Sequence, residues 1–155
     1  MRQFIFVLLF IYISIGCVFA ADKGGEKMIV TMADQAVCNG SKEECAGVMQ
    51  AVDAYLQAGV DGDHKTAEKG FAPWATMSWN ENGKLVTVPI QVLYDYFDEK
   101  KRPVKGDIAA CNIAGTVATV RLESDFDGAR FTDMFTLVKD GSDWKIISKV
   151  YNVKN

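Results

Sequence analysis

One aspartate on an apolar strand face is the first residue of this sequence that could do chemistry. In a strand predicted over 130–139, simple alternation places Asp133 on the same face as Phe131, Phe135 and Leu137. An ionised carboxylate buried there costs several kcal/mol unless it is paired, so we expect Asp133 to be hydrogen-bonded or to have a raised pKa. Two alternatives stay open: a register slip or bulge that turns Asp133 outward, and a structural acid satisfied by the backbone or a tyrosine.

Tyr55 is the second candidate. It lies on the apolar stripe of the predicted first helix, and its hydroxyl needs a hydrogen-bond partner if it is buried. A tyrosine at such a position usually belongs to the core, and it becomes a site residue only if it faces the same cavity as Asp133. The remaining ligand-binding candidates are five aromatic residues expected near that cavity and one polar strand residue. The alternative is that the aromatic residues simply belong to the core. The six candidates are Trp74, Trp79, Phe97, Phe131, Phe135 and Asn112.

Other catalytic groups are scarce in the sequence. His64 is the single histidine, and it follows Asp63, the expected cap of a short helix, where a solvated side chain is the ordinary case. The sequence contains no evident Ser-His-Asp set, phosphate-binding loop or metal-ligand cluster. We therefore assign no catalytic residue and predict neither a cofactor nor a metal.

Cysteine spacing predicts one disulfide. Cys38 and Cys45 bracket a turn-like stretch before the first helix, which suits a local disulfide in an oxidising compartment. Metal binding is the alternative, but no CxxC pair and only one histidine are present to complete a site. Cys111 is then unpaired, and we expect it to be a buried small hydrophobic residue.

The N-terminus predicts export. Arg2 precedes an apolar run over residues 4–18, and small residues before Ala21 suit cleavage by a signal peptidase. The run is shorter than the roughly 20 residues that span a bilayer, so a retained anchor is the less favoured alternative. Lipidation at Cys17 is a second alternative. It is disfavoured because Ser14 stands three residues before the cysteine, where lipoproteins usually have a large aliphatic residue. The protein is therefore predicted to be periplasmic or secreted.

Length and charge limit the domain count and the partners. We predict a signal peptide over 1–20, a lead segment over 21–41 and one domain over 42–155, which is an ordinary domain length. The net charge of the whole chain is −3, and loss of the signal peptide removes one further positive charge. Nucleic acids and anionic membrane surfaces require basic patches, so neither is predicted as a partner of the cleaved chain.

Hydrophobic periodicity predicts helices first and strands afterwards. The helices are expected over 42–59, where Gly59 and Gly62 end the first, then 64–71 and roughly 89–100. Turns are expected at Asp127-Gly128 and Asp140-Gly141. The predicted extended segments are 75–79, 84–88, 107–113, 116–125, 130–139 and 143–153. This order predicts an α+β fold with helices packed on one face of a curved sheet.

Two stretches resemble the nuclear transport factor 2-like (NTF2-like) superfamily. The run 55–63 followed by 71–76 resembles its helix–Gly-Asp–helix–strand opening, and 131–150 resembles its closing hairpin. The likeness covers residues 44–153 and is greatest to members described as "putative lumazine-binding", a label that does not establish lumazine as the ligand. The resemblance implies a cone, in which a curved antiparallel sheet is wrapped by three N-terminal helices around an internal apolar cavity.

The superfamily includes ketosteroid isomerases, and their site can be carried over residue by residue. The oxyanion-hole tyrosine falls on Tyr55, and the protonated aspartate that shares the hole falls on Asp133. The general base falls on Trp79, whose indole cannot accept a proton. Isomerase chemistry by that route is therefore not expected, and dehydratase relatives use a histidine inside the cone that this chain does not place there.

The leading hypothesis is an exported protein that binds a small apolar or aromatic ligand in a largely apolar cone pocket. One alternative is a lyase or isomerase with a non-standard base, for which Asp53, Asp95 or Asp98 would have to enter the cavity. The other is a non-catalytic dimerisation or interaction module, since the resemblance implies homodimers through the sheet face.

Overall fold

A computed structural model describes residues 37–154, which form one sheet and three helices. The predicted signal peptide and nearly all of the predicted lead segment lie outside the described residues. The elements follow in this order: α1 (Lys42–Asp61), α2 (His64–Glu68), β1 (Phe71–Glu81), β2 (Lys84–Pro89), α3 (Gln91–Tyr94), β3 (Val104–Ala114), β4 (Val117–Phe126), β5 (Ala129–Asp140) and β6 (Asp143–Lys154).

The six strands form one curved, unclosed sheet in the order β2-β1-β6-β5-β4-β3. This confirms the predicted α+β class, with α1 packed against β3 and β6. The sheet is not wholly antiparallel, because β1 pairs with β6 in parallel. Hairpin turns fix the antiparallel direction of neighbours that follow one another in the chain, whereas β1 and β6 have no such turn between them.

Helix α1 forms for reasons that the sequence contains. Ser41 accepts a hydrogen bond from the Glu44 amide while the Glu44 side chain returns to the Ser41 amide, which is a capping box. The helix ends at Gly62, whose φ of 68° lies in the left-handed region. The prediction that Gly59 ends the helix is wrong. Gly59 is helical, and a Cβ there would collide with the ring of Phe126, so this glycine permits a close approach of the sheet.

Helices α2 and α3 are shorter than predicted. Helix α2 ends at Glu68, and the Gly70 carbonyl accepts a hydrogen bond from the Ile146 amide at 2.8 Å, so the chain has already joined the sheet. Helix α3 has four residues, begins without a side-chain cap, and is followed by turns up to Glu99, whose φ of 63° is incompatible with a helix. Of the four side chains that helical spacing predicts to be buried here, Ile90, Leu93 and Phe97 are buried, whereas Tyr94 is half-buried.

Strand β6 contains a bulge that changes which side chains face the core. Ile146 pairs with Leu137 and Ser148 pairs with Thr136, so Ile147 is an extra residue on β6. A bulge of this kind shifts the inward and outward alternation by one position.

The shift decides where Lys149 lies. Strict alternation from the buried Trp144 would place Val150 inward and Lys149 outward. Instead Lys149 is only 2% exposed and Val150 is 45% exposed. A lysine therefore enters the core at a position where the sequence pattern predicts a surface residue.

Three cysteine sulfurs meet where the chain enters α1. The predicted disulfide between Cys38 and Cys45 is confirmed. Cys111 is a buried free thiol on β3, as expected, and burial raises its pKa to about 11. Its Sγ lies 2.7 Å from the Cys38 Sγ, and the Cys111 amide donates to the Val37 carbonyl. Cys38 is therefore adjacent to two sulfurs.

This contact predicts an alternative disulfide. In Cys45→Ser, oxidation with glutathione disulfide should join Cys38 to Cys111, because their sulfurs already touch. A disulfide that closes the short local loop contributes about 2–3 kcal/mol, and one closing the longer loop contributes more by loop entropy. The stability lost in Cys45→Ser should therefore be recovered on oxidation, whereas Cys38→Ser should recover none. Non-reducing peptide mapping and urea unfolding check this. A free Cys38 in oxidised Cys45→Ser would contradict it.

Candidate functional site

The centre of the site is a buried ion pair. Asp133 is 0% exposed, and its two carboxylate oxygens have different partners. Oδ2 accepts a hydrogen bond from the Ser124 hydroxyl at 2.9 Å, and Oδ1 accepts from the Lys149 ammonium. The pairing expected for a buried carboxylate is therefore present, but the partners are a serine and a lysine rather than a tyrosine.

Aromatic rings enclose the Lys149 ammonium. Nζ lies 4.4 Å from the centroid of the Tyr151 ring, 5.4 Å from that of Tyr55 and 5.9 Å from that of Phe135. Cations are attracted to ring faces, and the attraction is larger when both groups are desolvated. The rings therefore replace part of the hydration that Lys149 loses on burial.

Burial shifts the proton affinities of the site. Desolvation lowers the pKa of Lys149 below its ordinary value, and the neighbouring Asp133 opposes this without cancelling it. Desolvation, Asp133 and Tyr151 together raise the pKa of Tyr55 well above its ordinary value. Tyr55 is therefore a protonated hydrogen-bond donor at neutral pH, and Lys149 releases its proton more easily than a surface lysine does.

A cavity of about 290 Å³ adjoins the ion pair. Its wall is mostly apolar and aromatic, and its polar groups come from one tyrosine on β6, one tyrosine after α3, one tyrosine on α1, one lysine and one arginine. The lining residues are Tyr55, Met77, Leu93, Tyr96, Phe97, Arg102, Phe126, Ala129, Phe131, Lys149, Tyr151 and Val153. The sheet, α1 and the segment after α3 all contribute, so the cavity depends on the whole fold.

The Tyr55 hydroxyl is available to a ligand. It makes no hydrogen bond with any residue in the described range 37–154, and it is not sealed from the cavity that Tyr55 lines. The ring itself is fixed by edge contacts to Phe71 and Phe135, at centroid distances of 6.1 Å and 5.6 Å. The donor is thus held in place and has no hydrogen-bond partner among the described residues.

The residues predicted from the sequence fall into three groups. Tyr55, Phe97 and Phe131 line the cavity. Asp133, Phe135 and Trp79 lie behind the lining: Asp133 holds Lys149, Phe135 packs on Tyr55, and Trp79 packs on Tyr151 with ring centroids 5.6 Å apart. Trp74, which is 71% exposed, and Asn112, which is also exposed, lie outside the cavity.

Sequence reasoning missed Lys149, Tyr151 and Ser124. A buried Asp133 implies a cationic or hydrogen-bonding partner on a neighbouring strand, and Lys149, which comes shortly after two isoleucines in β6, was available for that role. The bulge at Ile147 turns Lys149 inward. The alternation of apolar and polar residues in the sequence does not reveal this bulge.

The acids considered as alternative bases do not reach the cavity. Asp95 is exposed, and Asp98 forms ion pairs with Lys100 and Arg102 at the surface. Asp53 lines a separate concavity of about 460 Å³ between α1, α2 and the β5–β6 turn. His64 is half-exposed beside Glu68. None of these four side chains lines the cavity beside Lys149.

Residues 37–154 contain no group of three or more His, Cys, Asp or Glu side chains arranged to hold a metal ion. Within the same residues, no helix has both the length and the apolar character needed to span a bilayer.

Comparisons with known proteins agree with this geometry. The model of the family described as "Putative lumazine-binding" matches residues 43–152. An NTF2-like protein of Shewanella baltica OS155 is 30% identical with a TM-score of 0.70, covering 75% of this chain and 98% of that one. A ketosteroid isomerase-like protein of Erwinia carotovora atroseptica shares the fold at 15% identity and a TM-score of 0.55, covering 74% and 98%. The aldolase FrzH of Cladobotryum sp. is 24% identical over 116 residues, 72% of this chain and 93% of that protein.

Removing both partners of the pair should cost less than the sum of the costs of removing each one alone. Asp133→Asn keeps the acceptor for Ser124 but leaves the Lys149 ammonium buried without a counter-charge, and we expect it to lower the free energy of unfolding by about 3–5 kcal/mol. Lys149→Met should be similarly costly. The double variant should lose less than the sum of the two, as measured by urea unfolding. Additive losses would show that the two groups are not coupled.

The Asp133→Asn penalty should shrink as pH rises. A lysine whose folded pKa is below its unfolded pKa binds fewer protons when folded, so stability increases with pH between the two values. Asp133 raises the pKa of Lys149, so its removal extends this interval to lower pH. The stability of Asp133→Asn relative to wild type should therefore increase from pH 7 to pH 10, while the Asp133→Asn/Lys149→Met variant shows no such trend. A pH-independent difference for the single variant would contradict this.

Proposed function

The chain belongs to the family described as "Putative lumazine-binding", and on that premise we propose that it is an exported protein that binds a small, flat, largely apolar molecule beside Lys149. The observation that carries the proposal is the Tyr55 hydroxyl on the wall of an apolar cavity, a fixed donor to which no residue between 37 and 154 is hydrogen-bonded. Small-ligand sites combine an apolar wall with few convergent polar groups in this way.

The size and lining of the cavity limit the ligand. A volume of about 290 Å³ lies at the small end of ligand pockets, which suits a molecule of one or two rings. Phe97, Phe131 and Tyr151 present aromatic surface on which a planar ring can stack. A carbonyl oxygen on such a ring would accept the Tyr55 hydrogen bond.

Charge balance favours a neutral ligand. Lys149 is compensated by Asp133, and Arg102 is compensated by Asp98. A charged ligand would therefore meet no unpaired opposite charge and would lose its hydration on entry. This supports the predicted apolar or aromatic ligand over an anionic one.

Export is part of the proposal and rests on the sequence. The apolar N-terminal run resembles a signal peptide, and the Cys38–Cys45 disulfide is typical of an oxidising compartment such as a periplasm or the cell exterior. Homodimerisation through the sheet face likewise stays a prediction.

A second candidate function is carbon–carbon bond chemistry. The observation that favours it is a lysine on the cavity wall, together with similarity to a relative named as an aldolase. Isomerase chemistry is supported less well, because Trp79 stands at the position of the general base and Asp133, the candidate acid, is held by Lys149 and Ser124 behind the lining.

Removal of one hydroxyl tests the binding proposal. Tyr55→Phe keeps the ring but deletes the donor, so we expect the affinity for 1-indanone, a two-ring ketone, to fall about tenfold, or ~1.4 kcal/mol. Tyr94→Phe is the matched control, because Tyr94 packs on His64 and does not line the cavity. Isothermal titration calorimetry measures both. Equal affinities in wild type and Tyr55→Phe, or an equal loss in the control, would contradict the proposed orientation.

A further inference from the structure

Lys149 is the group in the cavity whose chemistry the binding proposal does not use. We propose that Lys149 forms an imine with a ketone or aldehyde held in the cavity, with Asp133 as its proton acceptor and Tyr55 as the donor to the carbonyl oxygen. This inference rests on the proposed binding cavity and deepens it by naming a carbonyl compound as the substrate class.

The first support is the position of the amine. Lys149 lines the cavity, and its Nζ lies between the buried Asp133 carboxylate and the faces of aromatic rings. Asp133 is its one hydrogen-bond partner among residues 37–154. The remaining hydrogens of the ammonium face rings, so one proton transfer to Asp133 frees a lone pair without breaking another hydrogen bond.

The second support is the low polarity around the pair. An amine must be neutral to attack a carbonyl, and surface lysines are protonated at neutral pH. Desolvation lowers the pKa of Lys149, and a buried pair of charges gains less than a solvated one from staying ionised. The hydrogen bond from the Ser124 hydroxyl to Asp133 keeps the carboxyl group oriented towards Nζ during the proton transfer.

The third support is the carbonyl-directed donor. The Tyr55 hydroxyl reaches the same cavity and has no protein partner in the described part of the chain. A hydrogen bond from it to the substrate oxygen would turn the carbonyl carbon towards the amine and stabilise the negative charge that develops on oxygen. The Tyr55 ring also lies near the amine, with Nζ 5.4 Å from the ring centroid.

The reaction balances with these groups alone. The Lys149 ammonium gives one proton to Asp133, and the neutral amine forms a carbon–nitrogen bond while the carbonyl π electrons move to oxygen. Tyr55 relays a proton from nitrogen to that oxygen, giving a carbinolamine. Asp133 then returns its proton to the hydroxyl group, which leaves as water when the carbon–oxygen bond breaks. The products are an iminium ion paired with the Asp133 carboxylate and one water, and no oxidant or reductant is required.

Reductive trapping tests the inference. The wild-type protein is incubated with benzaldehyde and sodium cyanoborohydride at pH 6, which converts an imine into a stable benzylamine, and each lysine is quantified by peptide mass spectrometry. Lys145 is the matched control in the same sample, because it lies on the same strand outside the cavity with its ammonium bonded to the Lys69 carbonyl. We expect Lys149 to be benzylated at least tenfold faster than Lys145, and Tyr55→Phe to reduce this ratio.

Two variants and a binding measurement separate the possible failures. Lys149→Arg keeps the positive charge but cannot form an imine, so the total benzylation of this variant should fall to the sum contributed by the remaining lysines. If saturation-transfer NMR shows benzaldehyde in the wild-type cavity while Lys149 reacts no faster than Lys145, the imine inference is overturned and the binding proposal stands. If benzaldehyde neither binds nor reacts at Lys149, both are overturned. The comparison within the wild-type sample holds even if a variant fails to fold.

Discussion

The burial of Lys149 against Asp133 is the interaction on which the rest of this structure depends. Two opposite charges removed from water cost more than their attraction returns unless the geometry is good and the remaining polar atoms are satisfied. Here Ser124 occupies the second carboxylate oxygen, and Tyr151, Tyr55 and Phe135 surround the ammonium. The pair is tolerated because these four neighbours surround it. A pair that requires so many partners fixes the relative positions of α1, β4, β5 and β6.

The same constraint links strand register to the site. The extra residue Ile147 in β6 turns Lys149 and Tyr151 towards the core, beside Phe135 and Asp133 on β5. Without the bulge, Val150 would face inward and Asp133 would be a buried acid without a cation. The close approach of Phe126 over Gly59 completes the wall on the α1 side. The cavity therefore depends on this bulge in β6 as well as on the elements that surround it.

The sequence predicted those features that depend on local patterns. The start of α1 at Lys42, the turn at Asp127-Gly128, and the long β4 and β5 strands all follow from neighbouring residues, and each is present. The turn predicted at Asp140-Gly141 lies one residue later, at Gly141-Ser142, because Asp140 is still paired with Asp143. The buried Asp133 was also predictable, because alternation is regular throughout β5. These are positions where local preference and the final fold agree.

The features that escaped prediction depend on distant residues. The parallel pairing of β1 with β6 and the early end of α3 are set by where the chain must return to the sheet, and no local signal encodes them. Lys149 escaped for the same reason, since its inward direction follows from a bulge that only the pairing with β5 reveals. Trp74 shows the reverse error: an aromatic residue expected at a cavity is exposed at the surface.

The central claim is that Lys149 is a desolvated amine paired with Asp133 on a cavity wall. The most direct measurement is an NMR titration of protein labelled with carbon-13 at the lysine ε-carbons, with Lys149 assigned by its absence from Lys149→Arg. The account predicts that the Lys149 resonance titrates below the ordinary lysine pKa of about 10.4. Titration of Lys149 near that value would show that its ammonium is solvated, and it would contradict the ion pair, the cavity wall and the chemistry derived from them.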